Sequence, residues 1–233
     1  MKVRTWAPLL GALSIATAGT AFAAISSAEV NRLHDSAQVV RELRDAQSTI
    51  PVDVWNKAEC VVVIPSMKKA AFVFGGEYGR GVMSCRRAGT WSAPLFMTLA
   101  KGSWGLQIGA EEVDLVMLVM NQRGVDKLLQ DNVSLGADAS VAAGPVGRTG
   151  AASTDAQFSA EILSYSRSQG VFAGIDLSGG VLKPDKDSNI DVYGRNHETS
   201  RDIVMGQNVV VPAAANDFVH ALSSEARATS GRK

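Results

Sequence analysis

Two kinds of hydrophobic pattern alternate along the chain. From Ser26 to Ala46, Val30, Leu33, Ala37, Val40 and Leu43 recur every three or four residues, which makes one apolar stripe at helical spacing. Ser26-x-x-Glu29 at its start is a capping box, in which the serine satisfies a free N–H and the glutamate reaches back. Arg32, Arg41 and Arg44 fall off the stripe. An amphipathic helix is predicted here, packed on a domain core or lying on a membrane surface. A short second helix over Pro51–Lys57 follows, with Trp55 as its anchor to a sheet.

From Ala58 to Ala110 the pattern changes to short apolar runs cut by glycine, and eight of the chain's 22 glycines fall there. Such spacing opposes a helix and predicts a meander of short strands. The strands are expected over Glu59–Ile64, Ala70–Phe74, Gly81–Arg86, Leu95–Leu99, Trp104–Ile108 and Val113–Met120. Turns are expected at Pro65–Lys69, Gly75–Gly76, Arg87–Thr90 and Lys101–Ser103. Several runs are apolar on both faces, so both sides of the sheet should be covered. Asp114, the one charge in Val113–Met120, needs a partner if buried. Beyond it the pattern predicts a helix over Asn121–Gln130 and a small, glycine-rich stretch over Leu135–Arg148. A hairpin of Glu161–Arg167 and Val171–Leu177, a polar turn at Asp185–Asn189 and a helix over Ala213–Ser223 complete the series. Strands in clusters give an α+β class: a mostly antiparallel sheet or barrel of short strands, flanked by N-terminal, middle and C-terminal helices.

Residues 1–23 read as a signal peptide. Lys2 and Arg4 precede an uncharged stretch from Trp6 to Phe22, and Ala21-Phe22-Ala23 is an A-x-A cleavage signal. The strongly apolar part, Trp6–Ile15, falls short of the ~20 residues that span a bilayer. The expected organisation is this leader, one domain over 24–212, and a C-terminal helix with a polar tail over 213–233. The expected location is periplasmic or secreted, possible attachment to a membrane being peripheral. Charge is balanced, with 23 Lys+Arg against 23 Asp+Glu, which argues against a general nucleic-acid binder. Cys60 and Cys85 are either a disulfide between two strands or two buried thiols.

Catalytic signals are weak. His34, His197 and His220 stand in three separate elements without metal-ligand spacing, and no G-x-S-x-G elbow or P-loop is present. Asp114 and Asp176 are carboxylates within apolar strands. No metal and no cofactor is expected. The cations that suit phosphate are Lys68 and Lys69 on one predicted turn, Arg86 and Arg87 at another, and Arg148 after a glycine-rich loop. Trp91, Trp104, Phe72, Phe74 and Phe96 are expected in the core.

Val62-Val63-Ile64-Pro65, Phe74-Gly75-Gly76-x-Tyr78-Gly79-x-Gly81, Trp91-Ser92-Ala93-Pro94 and Gly144-Pro145-Val146-Gly147-Arg148 occur in that order. Gly105-Leu106-Gln107-Ile108-Gly109 lies between them, and Ser164-Tyr165-Ser166 and Gly170-Val171-Phe172-Ala173-Gly174 follow. Together these stretches resemble a SYLF domain over about Val30 to Asn196, in the manner of a bacterial exported member. The resemblance implies binding to phospholipids or an anionic membrane surface without enzymatic activity, partly through an N-terminal amphipathic segment. The Ser26–Ala46 helix, with Val30, Leu33, Val40 and Leu43, stands in that position. It also implies kinship with fungal actin-binding proteins, although actin is not expected in a periplasm. The alternative is an envelope scaffold that binds a protein partner.

Overall fold

The computed structural model describes residues 25–45, 50–71, 74–104, 109–146, 159–168, 171–195, 199–206 and 209–230. Helices α1 (Ser27–Asp45) and α2 (Val52–Lys57) lead into strands β1 (Cys60–Ala71), β2 (Phe74–Arg87), β3 (Thr90–Trp91), β4 (Leu95–Trp104) and β5 (Gly109–Val119). Helix α3 (Gln122–Leu128) precedes β6 (Val133–Ser134), β7 (Val141–Ala143), β8 (Ile162–Ser168), β9 (Val171–Gly174) and β10 (Gly180–Pro184). Helices α4 (Lys186–Tyr193) and α5 (Ser200–Met205), a 3-10 turn at Ala213–Ala215 and α6 (Asn216–Ser230) complete the described chain.

The strands make one sheet in the order β6-β10-β4-β2-β1-β5-β8-β7, with β3 on β2 and β9 on β8. Every pairing is antiparallel except β7 with β8. The sheet is curled because its two edge strands are joined by only Leu135–Ser140, and an extended residue covers at most about 3.6 Å. At one end of that link Leu135 donates its N–H to Gly180 O, and at the other Ser140 O accepts from Ile162 N. The mostly antiparallel α+β arrangement expected from the strand pattern is therefore the fold.

Each face of the sheet carries a core. The inner cluster includes Ile64, Met67, Met83, Met97, Leu115 and Met117, with Val125 of α3 and Ile203 and Val204 of α5 packed into it. The outer cluster joins Val61, Val63, Val82, Phe96, Val116 and Leu118 to Leu33, Ala37 and Val40 of α1 and Phe218 and Leu222 of α6. Trp55 anchors α2 to this outer layer, as its position in the sequence suggested.

Several elements differ from the sequence expectation. Pro65–Lys69 is not a turn. β1 runs through it, and a bulge shifts the register between Val63 and Lys68 against β2 and between Ile64 and Met67 against β5. One residue of β1 is extra, Ser66 takes a φ of 45°, and its N–H is bonded to Asp114 Oδ1 at 2.9 Å. Asp114 thereby gains its partner, with Arg167 Nη1 3.2 Å away. Gly75 and Gly76 also lie inside a strand, where ladders on both sides outweigh their turn preference, and Gly102 continues β4 as the partner of Gly76. Asp185–Asn189 is the capped start of α4, Asp185 accepting from Ser188 N. Asp176 lies beyond β9, exposed, where it accepts hydrogen bonds from Ser178 that hold its carboxyl below the usual range.

Candidate functional site

Past the edge of α1 the outer face of the sheet is arranged in rows, because antiparallel partners point to the same side. Lys183, Thr98 and Arg80 form one row, through the pairs Lys183↔Thr98 and Arg80↔Thr98. The next row towards the ends of the two long hairpins is Val181, Ala100, Tyr78, Lys68 and Glu112. The row after that includes Gly102 and Gly76. Lys183, Arg80, Ala100 and Lys68 are exposed. Tyr78 and Val181 are among the most exposed large hydrophobic residues, at 47% and 36%. Arg80 Nε donates to Tyr78 Oη at 3.0 Å, which favours the charged guanidinium and raises its pKa. The bulge at Ser66 sets this face. It keeps Met67 on the inner side with Ile64 and turns Lys68 outward beside Tyr78.

Of the cations singled out in the sequence, only Lys68 belongs to these rows. Its side chain is 77% exposed, with Nζ 3.9 Å from Glu112 Oε1. Lys69 points to the opposite face, opposite Glu77 on one side and Glu111 on the other. Arg86 and Arg87 stand at the far end of β2. Arg86 Nε and Nη2 donate to the carbonyls of Ala58 and Trp55, and its guanidinium lies 4.4 Å from the Trp91 ring. Burial there pushes its pKa down. Arg87 Nη1 donates to Gly206 O at 2.7 Å, beside a cleft of about 420 Å³ between the β2–β3 turn and α5 that Trp91, Ile203 and Val211 also line. Arg148 lies outside the described residues.

Helix α1 uses its apolar stripe on the sheet. Leu33 and Val40 are fully buried, Leu43 is 6% exposed and Val30 is half-buried. Polar bonds hold it along its length. Arg32, which the sequence placed off the stripe, is buried, pairs with Asp185 at 2.9 Å and lies over the Phe96 ring. Glu29 accepts from Ser188 Oγ at 2.9 Å as well as from Ser26, so the capping box is tied into α4. Burial alone would raise the Glu29 pKa, but these hydroxyls hold it below the ordinary range. Arg41 pairs with Asp217 at 2.8 Å and Glu42 with Arg167.

Cys60 and Cys85 are direct partners in the β1–β2 ladder and form a disulfide. Among the described residues no group of three or more His, Cys, Asp or Glu is placed to hold a metal ion, and no helix is long and apolar enough to cross a membrane. Trp91 and Phe96 are core residues as expected, while Phe72 and the side chains of Phe74 and Trp104 lie outside the description. Sequence reasoning missed Tyr78, Arg80 and Lys183. The alternation Gly76-x-Tyr78-x-Arg80 carried a strand signal that the glycine pair before it concealed.

Comparison with known proteins decides the family. Residues 100–225, more than half of the 233-residue chain, match the family model described as Ysc84: Las17-binding protein actin regulator. The chain belongs to the Ysc84 family. Protein YSC84 of Saccharomyces cerevisiae is 34% identical over 185 residues, covering 78% of this chain and 39% of that protein. LAS seventeen-binding protein 3 of the same yeast is 35% identical, covering 78% of this chain and 40% of that protein. SH3 domain-containing YSC84-like protein 1 of Mus musculus is 34% identical over 197 residues, covering 81% of this chain and 57% of that protein. The chain thus spans about two-fifths to three-fifths of the length of these relatives.

The stretches that carried the SYLF resemblance act in this Ysc84-family chain largely as packing devices. A Cβ at Gly81 would lie 1.9 Å from Val63 O, and one at Gly79 would lie 2.4 Å from Ile64 Cγ2, so these glycines make room for the bulged strand. Tyr165 is fully buried, with its hydroxyl on Pro145 O at 3.2 Å. A Cβ at Gly144 would lie 2.0 Å from Tyr165 Cζ, and one at Gly174 2.4 Å from Gly144 O. Gly144 thus packs on the Tyr165 ring and Gly174 on the Gly144 backbone, so three separate stretches of sequence meet there.

Proposed function

We propose that this domain is a non-enzymatic module that associates with an anionic phospholipid surface. The observation that carries the reading is the outer sheet face, where Lys183, Arg80 and Lys68 stand exposed, Arg80 and Lys68 beside Tyr78. Each cation near an anionic surface contributes about 1 kcal/mol, so three give about 3 kcal/mol before the offset from Glu112. Such binding is screened by salt. The export expected from residues 1–23 belongs to the same reading and would bring the domain to a membrane from outside the cytoplasm.

The experiment is flotation of the mature domain with vesicles of phosphatidylcholine and phosphatidylglycerol. Co-flotation at low salt that declines with added salt is expected, and its absence at low salt overturns the reading. The printed name of LAS seventeen-binding protein 3 favours a second reading, a domain that binds a protein partner. A stoichiometric protein partner in the absence of any vesicle binding would select it.

A further inference from the structure

Resting on the lipid-surface reading, we propose that the sheet itself enters the interface, through the strip Val181–Ala100–Tyr78 and the pair Gly102–Gly76 below it, while α1 stays on the sheet. Along this face Lys183 and Arg80 come first, then Val181, Ala100 and Tyr78, a row that Lys68 and Glu112 continue on its far side, then Gly102 and Gly76. Successive rows are two strand residues apart, about 6.6 Å, so Gly76 and Gly102 lie about 13 Å beyond Arg80 and Lys183 along the strands. An interfacial element typically sinks about 5–10 Å below the headgroups, so cations at phosphate level put the strip at that depth.

Gly76 and Gly102 have no packing reason to be glycine. A Cβ at Gly102 meets nothing within 4 Å, and one at Gly76 meets only Lys101 O at 4.0 Å. Neither has a positive φ. Glycine inside a strand weakens it, and one that no neighbour requires leaves a surface that something can approach closely. The Val181–Ala100–Tyr78 row also meets the main requirement of an apolar medium, that backbone groups be satisfied internally. β1 and β2 are inner strands, and β4 is paired on both sides as far as Lys101. Helix α1 offers no comparable surface while docked, since Leu33, Val40 and Leu43 are buried and Glu29, Arg32, Arg41 and Glu42 are all tied to other elements.

The test uses single cysteines carrying an environment-sensitive NBD label. Among the described residues no cysteine is free, so Cys60 and Cys85 do not compete for the label. Gly102→Cys reports the strip, Asn31→Cys the exposed side of α1, and Arg123→Cys the opposite end of the sheet. With phosphatidylcholine–phosphatidylglycerol vesicles, the label at position 102 should shift to the blue and brighten several-fold, and the labels at 31 and 123 should not. Flotation with an unchanged label at 102 overturns this proposal and leaves lipid association standing; absence of flotation overturns both. Gly102→Glu should lower the bound fraction about tenfold with its melting temperature preserved, and undiminished binding by that variant also overturns the proposal.

Discussion

Gly81→Ala gives the sharpest test of how the bulged strand is accommodated. The new methyl carbon would lie 1.9 Å from Val63 O and 2.8 Å from Ile64 Cα, both backbone atoms of β1. β1 cannot retreat, because Val63 and Ile64 are paired on its other side with Val116 and Leu115 of β5. Overpacking in a core typically costs 1–3 kcal/mol, and a clash with fixed backbone belongs at the upper end, about 3 kcal/mol. For a domain of this size 1 kcal/mol moves the midpoint by about 2–4 °C, so the variant should melt about 6–12 °C lower. Gly102→Ala is the paired control. It adds a methyl where nothing lies within 4 Å, and alanine is favoured over glycine in a strand interior by about 0.5–1 kcal/mol, so its midpoint should rise by about 1–4 °C. Thermal melts by circular dichroism, run without reductant at one protein concentration, read both. A Gly81→Ala midpoint within about 2 °C of the parent would refute the claim that this glycine is required by the bulge.

Three further outcomes are expected. Tyr165→Phe should cost about 1 kcal/mol in urea denaturation, the loss of the bond to Pro145 O, while Tyr165→Ala should cost about 3–5 kcal/mol by emptying the slot at Gly144. Glu161 is buried, which alone would raise its pKa, but Lys127 and Ser140 hold it below the ordinary 4.5. Its contribution is therefore complete above 4.5 and lost as pH falls through the lower folded value, so Glu161→Gln should cost about 2 kcal/mol at neutral pH and converge with the parent in acid. Thiol labelling of the unfolded, unreduced protein should find neither Cys60 nor Cys85. Reduction should cost about 3.5 kcal/mol, from the loop-closure entropy of a 25-residue separation.

The parts of the fold that were legible in the sequence are those set by local periodicity. The stripe on α1 and the β8–β9 hairpin follow from spacing alone, and the order of glycine motifs was enough to indicate the family. The continuity of β1 was not legible, because Pro65-Ser66 has the same local signature in a turn and in a bulge. The choice is made by β2 and β5, which hold the strand on both sides and supply Asp114 for the Ser66 N–H. Candidate cations failed to separate for a similar reason. Lys68 and Lys69 are neighbours in sequence but lie on opposite faces, and Arg86 is distinguished from Arg80 only by which carbonyls lie within its reach.

The glycines of β2 and β4 divide into two classes, and the division separates what the fold requires from what it merely permits. Gly79 and Gly81 face inward, where the bulged backbone leaves no space for a side chain, so their identity follows from packing. Gly76 and Gly102 face outward, where a side chain would meet open space, so stability argues against them. A fold that tolerates such residues at the exposed ends of β2 and β4, next to Tyr78 and beyond Arg80 and Lys183, has kept a flat surface at some cost to itself. The proposed lipid interface accounts for that flatness, and the exposed Lys183, Arg80 and Lys68 suit a surface of negative charge. The reasoning also orders the candidates: the docked α1 stripe is committed to the outer core, whereas the glycine strip, among the described residues, has no neighbour packed over it.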